Sequence, residues 1–134
     1  DFEHALCSHT NWNPLWAKPY VVNADEELVD RIAGDDMVRG NTISAVGFYG
    51  PQGRQVRLEL ANPDLNRLIE QFEYRGRRIT NYEMESAPLA GMGRLMGHRC
   101  MTVCSIIANR FNTEANPNYK SGIKDLIATV LERI

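Results

Sequence analysis

The order of elements in the second half of this 134-residue chain predicts a layered α/β fold. Three observations carry that expectation. Residues 79–84 read as a strand and lead into a helix opened by Ser86-Ala87-Pro88 and closed by Gly97. Residues 100–108 form a near-continuous apolar run, as in a central strand covered on both faces. An amphipathic helix from about Tyr119 then closes the chain, with Ile123, Leu126, Ile127, Val130 and Leu131 as its apolar face. A chain of this length is expected to be one domain or a piece of one.

Composition narrows the class further. With 43% hydrophobic and 24% charged residues, the sequence is that of an ordinary globular protein. A formal net charge of −2 supplies no basic field for phosphate backbones, so a nucleic-acid partner is not expected. The longest apolar run, residues 103–108, is broken by Cys104 and Ser105 and is far too short to span a bilayer. The chain opens on Asp-Phe-Glu-His, without the features of a secretory signal. Three cysteines, an odd count, then favour free thiols in a reducing compartment, and a cytoplasmic location is expected. Cys100 and Cys104 lie four apart in the expected strand, ~13 Å from each other, too far to bridge. They read as small buried hydrophobes. His4, Cys7 and His9 lack a fourth ligand at a familiar spacing, so no metal site is expected.

Residues 1–18 read as irregular, with Trp12 and Trp16 anchoring the segment through apolar area and Asn11, Asn13 and Pro14 as turn formers. Asn23 or Asp25 caps a short helix through Ile32, and Glu26 and Glu27 suit its first turn. Gly34 and the Asp35-Asp36 pair end it. Residues 42–46 alternate as a strand and run into Gly47-Phe48-Tyr49-Gly50-Pro51-Gln52-Gly53-Arg54, a loop by its glycines and proline. Residues 54–60 alternate again, predicting a second short strand or extended arm. Asn62-Pro63-Asp64 starts a helix with Leu65, Leu68, Ile69 and Phe72 on one face. Arg75, Arg77 and Arg78 surround Gly76 in a turn before the strand at 79–84. In the helix after it, Leu89, Met92, Leu95 and Met96 read as a buried stripe, and Gly91 and Gly93 allow a neighbour to approach closely.

Two places carry chemistry. Glu83 and Glu85 sit one residue apart at the end of a strand, on one face and ~7 Å from each other. Such a pair could serve glycoside hydrolysis, or one ionised carboxylate could accept both hydroxyls of a vicinal diol in charge-assisted bonds. Gln52 and Arg54 are held on a loop at another strand end, where ligand groups of α/β proteins commonly sit. A planar carboxamide beside a guanidinium matches the edge of a nucleobase. The alternative for that loop is a polar surface turn.

Asn81-Tyr82-Glu83-Met84-Glu85-Ser86, followed by a Leu/Ala/Gly-rich helix ending at Gly97, resembles the ribose-binding motif of the nucleoside phosphorylases. Phe48-Tyr49-x-x-Gln52-x-Arg54 resembles the pyrimidine-reading loop of the uridine phosphorylases within that family, and Ile106-Ile107-Ala108-Asn109-Arg110 is similar to their next strand and the arginine after it. The resemblance runs from about Tyr20 to the C-terminus, with three motifs in the family's order. It implies a three-layer α/β/α fold with a central mixed sheet, of which this chain is an incomplete part.

The resemblance also implies roles. Glu85 would bind the ribose 2′- and 3′-hydroxyls, with Met84 packed on the sugar and Glu83 beside it. Gln52 would pair with the uracil N3–H and a carbonyl, Arg54 would hold a carbonyl oxygen, and Phe48 would pack against the base. Arg110 would assist around the base. The implied reaction is reversible phosphorolysis of uridine to uracil and ribose 1-phosphate, with inorganic phosphate as co-substrate and no metal or organic cofactor. Purine-cleaving relatives present an aspartate after the strand where this chain has Asn109-Arg110, which favours a pyrimidine. Family members run to roughly twice this length and keep their phosphate-binding groups in the N-terminal half. The chain is therefore expected to be the C-terminal half of such a domain, and a homo-oligomer, dimer or hexamer, is implied. A non-catalytic nucleoside-binding or assembly module lacking the phosphate site is the competing expectation. A purine nucleoside phosphorylase or a nucleosidase that uses water is a third.

Overall fold

The structure, a computed structural model, describes residues 1–109 and 114–134. The first element corrects the expectation of an irregular N-terminal segment, because residues 2–10 are helical. Asp1 caps α1 (Phe2–Thr10), its Oδ1 accepting the His4 N–H at 2.9 Å, and Asn11 closes it in the left-handed region at φ 50°. The apolar spacing Phe2, Leu6, His9 gives α1 one face, which packs on Phe72. The Phe2 and Phe72 rings meet edge to face at 5.3 Å, and His9 lies 5.5 Å from Phe72. The Trp12 and Trp16 rings meet edge to face, 5.2 Å apart at 88°.

The helix expected before Ile32 is present as α2 (Glu26–Ile32), with Asp25 accepting the Leu28 N–H at 3.0 Å. β1 (Asn41–Ser44) follows, shorter than the stretch that alternates in the sequence. The loop 47–54 contains one 3₁₀ turn, Gly50–Gln52. Residues 54–60 bend without joining a strand and leave Val56 and Leu58 exposed. α3 (Leu65–Gln71) buries Ile69, and Phe72 beyond its end is buried with it. β2 (Glu73–Tyr74) and β3 (Arg77–Glu83) form a hairpin through Arg75 and Gly76, whose φ values of 53° and 74° suit the twist of antiparallel strands.

These strands make a three-stranded mixed sheet in the order β1-β3-β2, with β1 parallel to β3 and β2 antiparallel to it. The layered α/β class with a mixed sheet is thus as expected. The β1–β3 register pairs Ser44 with Glu83, so both strands end at the same edge. α4 (Ser86–Leu95) leaves β3 and lies against β1. α5 (Tyr119–Arg133) docks beside α2. Arg133 donates to Ile32 O at 2.9 Å and forks onto Asp36 at 3.0 and 3.1 Å.

Three further expectations are corrected. Residues 100–107 belong to no strand, and of this run Ala108–Asn109 pair, as β4, with β5 (Glu114–Ala115). The apolar run adds no strand to β1-β3-β2, because an apolar pattern fits a segment for burial but does not by itself supply a hydrogen-bonded neighbour. The α4 stripe is not core, since Leu89, Met92, Leu95 and Met96 are 58–82% exposed. On α5, Ile123, Leu126 and Val130 are half-buried, but Ile127 and Leu131 face solvent. Cys100 and Cys104 are half-buried free thiols. The close approach expected at α4 does occur, because a Cβ on Gly93 would stand 2.3 Å from Cys100 Sγ. The main concavity, about 2500 Å³ and lined by residues such as Val22, Ile43, Val56, Leu60 and Met101, far exceeds the ~300–1,000 Å³ of a ligand pocket. It runs beside the sheet and is lined by β1, the segment 54–60 and the segment 100–106. Among the described residues no helix is long and apolar enough to cross a membrane.

Candidate functional site

The parallel register of β1 and β3 decides what can meet. From Ser44 the chain runs into the loop holding Phe48, Gln52 and Arg54, and from Glu83 it runs into Met84 and Glu85. Both sets of groups thus follow the carboxyl ends of adjacent parallel strands, the usual place for ligands in open α/β sheets.

At the β3 end the two glutamates do different things. Oε2 of Glu83 accepts the backbone N–H groups of Glu85 and Ser86, each at 2.6 Å. Its Oε1 accepts the Ser86 hydroxyl at 2.6 Å and the Ser44 hydroxyl in a very short bond. Ser44 Oγ in turn accepts the Ala87 N–H at 2.8 Å. A helix leaves its first N–H groups without intrahelical partners. Here those of Glu85, Ser86 and Ala87 are all satisfied, and Pro88 at the next position has none to satisfy. Burial pushes the Glu83 carboxyl up, but the Ser44 and Ser86 hydroxyls and the two backbone N–H groups outweigh it and hold it below its ordinary value. With four donors on two oxygens, Glu83 is committed to the start of α4.

Glu85, the residue preceding α4, keeps its side chain out of this network. It is exposed and caps nothing. Met84 beside it is 37% exposed. The carboxylate expected to meet a diol is therefore free, fixed by its backbone and set near the positive end of a ten-residue helix.

At the β1 end the loop is held by its own side chains. Arg54 donates through Nη1 to Phe48 O at 2.5 Å and to Gln52 Oε1 at 2.8 Å, and its guanidinium lies 3.8 Å above the Phe48 ring centroid. Gln52 is 4% exposed, whereas Phe48 is half exposed. Phe48, Gln52 and Arg54 thus form one cluster in which cation and aromatic ring meet solvent and the carboxamide lies beneath. Gly53 closes the turn at φ 72°, where a side chain would be strained.

Sequence reasoning missed three supports. Ser44 holds Glu83, Asn66 on α3 bonds the loop at Gln52 O, and the Tyr82 hydroxyl donates to Asn66 Oδ1 at 2.8 Å. Of the third motif, residues 106–109 are described. Just before it, burial pushes the Cys104 thiol up, the Glu83 charge adds to that, and Asn81 and Thr42 oppose it. Asn109 lies in β4, and Arg110 falls outside the described residues.

Comparison with known proteins follows the same line. The family model described as the phosphorylase superfamily matches residues 5–133. A uridine phosphorylase from Thermococcus kodakarensis is 33% identical over 101 residues, covering 71% of this chain and 32% of that protein. The solved structure of a Trypanosoma brucei nucleoside phosphorylase, described as showing uridine phosphorylase activity, superposes with a TM-score of 0.73. It covers 84% of this chain and 42% of that one at 22% identity, a likeness of fold. The chain thus spans about a third of the curated relative it matches. Since the match takes in nearly every residue, the chain belongs to the phosphorylase superfamily.

Proposed function

We propose that this chain carries the base and ribose ends of a uridine phosphorylase-type site. The reaction would be phosphorolysis of uridine, or a related pyrimidine nucleoside, to uracil and ribose 1-phosphate. The observation that supports this reading most is the pairing of Ser44 with Glu83, which sets a free carboxylate and a Phe/Gln/Arg cluster after neighbouring parallel strands. The T. kodakarensis relative, a uridine phosphorylase, points the same way.

In this reaction a phosphate oxygen attacks C1′ and the C1′–N1 bond breaks with its electron pair left on the base. The sugar gains positive charge and the uracil gains negative charge. Arg54 would place a fixed cation where the base becomes anionic, and Gln52 would bond the base edge. Glu85 would accept the two ribose hydroxyls and favour the cationic sugar. Glu83 would act through Glu85 by fixing its backbone, not by contact with the sugar. Phe48 would pack against the base and Met84 against the ribose. Arg110, by its place in the resemblance, would assist from the segment after β4.

Inorganic phosphate is the proposed co-substrate, and no metal or organic cofactor is proposed. The groups that hold phosphate would belong to the family's N-terminal half. Pyrimidine salvage in the cytoplasm by a homo-oligomer completes the proposal. The test is uridine titration of the chain, then, with the phosphate-holding half of the domain supplied, uridine cleavage followed by ultraviolet absorbance with and without phosphate. Saturable binding with phosphate-dependent cleavage is the expected result. Binding without cleavage would assign the chain a non-catalytic nucleoside-binding role, and turnover independent of phosphate would indicate hydrolysis. No uridine binding sinks the reading.

A further inference from the structure

We propose that Asn66 is a positioning residue that holds the base-reading loop against β3 and thereby sets how tightly the pyrimidine is bound, an inference that rests on the pyrimidine-site reading above. Asn66 lies in the first turn of α3, half-buried, and its one carboxamide faces two ways. Oδ1 accepts the Tyr82 hydroxyl at 2.8 Å, and Nδ2 donates to Gln52 O at 3.2 Å. Tyr82 directly precedes Glu83, which pins the backbone of Glu85, and the carbonyl that Asn66 holds belongs to Gln52 itself. One side chain therefore joins the strand of the ribose end to the residue assigned to the base.

The loop is shaped to receive this contact. A Cβ on Gly53 would stand 2.1 Å from Asn66 Nδ2, so glycine is what lets the amide reach the loop backbone. The N–H groups of Gln52, Gly53 and Arg54 return to Tyr49 and Gly50, and the Arg54 side chain bonds Phe48 and Gln52. Those bonds give the loop its shape but run within it. Asn66 ties that shape to other elements, a task that needs a donor and an acceptor on one short side chain. Aspartate can accept from Tyr82 but cannot donate to Gln52 O, and it would set a carboxylate oxygen against the carbonyl.

The experiment compares the full 134-residue chain with Asn66→Asp, Asn66→Ala and Tyr82→Phe. Backbone amide exchange is read at Gly53 and Arg54, and affinity is measured for uridine and 2′-deoxyuridine. Both Asn66 variants are expected to speed exchange at those amides and to weaken uridine roughly three- to tenfold, the scale of one hydrogen bond. The uridine to 2′-deoxyuridine ratio should stay at the wild-type value, because the ribose end is held separately by Glu83. Tyr82→Phe should act in the same direction and less. A residue that only supported the fold would lower the folded fraction while leaving the affinity of folded molecules alone. If Asn66→Ala does not fold, the near-isosteric Asn66→Asp and Tyr82→Phe carry the test. Unchanged exchange at Gly53 and Arg54 overturns the proposal. Failure of the wild-type chain to bind uridine removes the pyrimidine-site reading instead, and the exchange rates then decide the positioning role by themselves.

Discussion

The two ends of the candidate site are built on opposite plans. At the ribose end, the half-buried Glu83 carboxylate and the Ser44 hydroxyl satisfy the start of α4, and the working group, Glu85, stands outside that network. At the base end, the working groups Arg54 and Gln52 are themselves the braces, bonded to each other and to Phe48. Support and chemistry are separate residues in the first case and the same residues in the second. Removing a brace at the ribose end should therefore cost stability. At the base end it should cost function and local order together.

Arg54→Ala gives the largest expected effect, because it removes both the brace and the cation that would face the anionic base. With the phosphate-holding half of the domain supplied, uridine cleavage should fall on the order of 10²-fold or more, the scale of losing one preorganised donor, measured by absorbance at saturating phosphate. Loss in affinity alone, with the rate at saturation unchanged, would break the assignment of Arg54 to the developing charge.

Glu83→Ala should come next, costing about 2 kcal/mol of stability through the lost helix cap, read by denaturant unfolding. Its acid dependence has a definite sign. Folding lowers the Glu83 value below the ordinary 4.5, so its contribution is complete above that pH and is lost as pH falls through the lowered folded value. Glu83→Gln should flatten that part of the stability curve, and an unchanged acid limb would show that the network does not carry it. Gly53→Ala should cost about 1–2 kcal/mol, because φ 72° disfavours a side chain and Asn66 occupies the space a Cβ needs. Smallest of all, Glu85→Ala should move stability by less than about 0.5 kcal/mol, as befits an exposed side chain that caps nothing.

What the sequence disclosed divides along the same line. The cap at Asp25, the turn at Gly76, β3, α4 and α5 were legible because each is set by neighbours within a few residues. Ser44 and Glu83 meet across 39 residues, and no local pattern announces that a serine at a strand end will hold a glutamate on another strand. Asn66 was invisible for a like reason, since its partners lie 14 and 16 residues away. The start of the chain misled because Trp, Pro and Asn at 11–19 suggested turns, while Asp1 and the apolar spacing of Phe2 and Leu6 were enough for a helix. The stripe on α4 and the run at 103–108 misled in the other direction. Apolar pattern reports what a segment is suited to bury, and in this structure those faces meet solvent or the open space beside the sheet. The pairing of Gln52 with Arg54 and of Glu83 with Glu85 was legible as chemistry, but the division of labour between the two glutamates is set by Ser44, which meets Glu83 only in the fold.

The most direct test of a site with separate base and ribose ends is the affinity of wild-type chain and Glu85→Ala for uridine and for 2′,3′-dideoxyuridine. If Glu85 holds the diol, the substitution should weaken uridine on the order of 10²-fold, as for two bonds to a charged group, and leave the dideoxynucleoside unchanged. Equal losses for both ligands, or none for either, would contradict it.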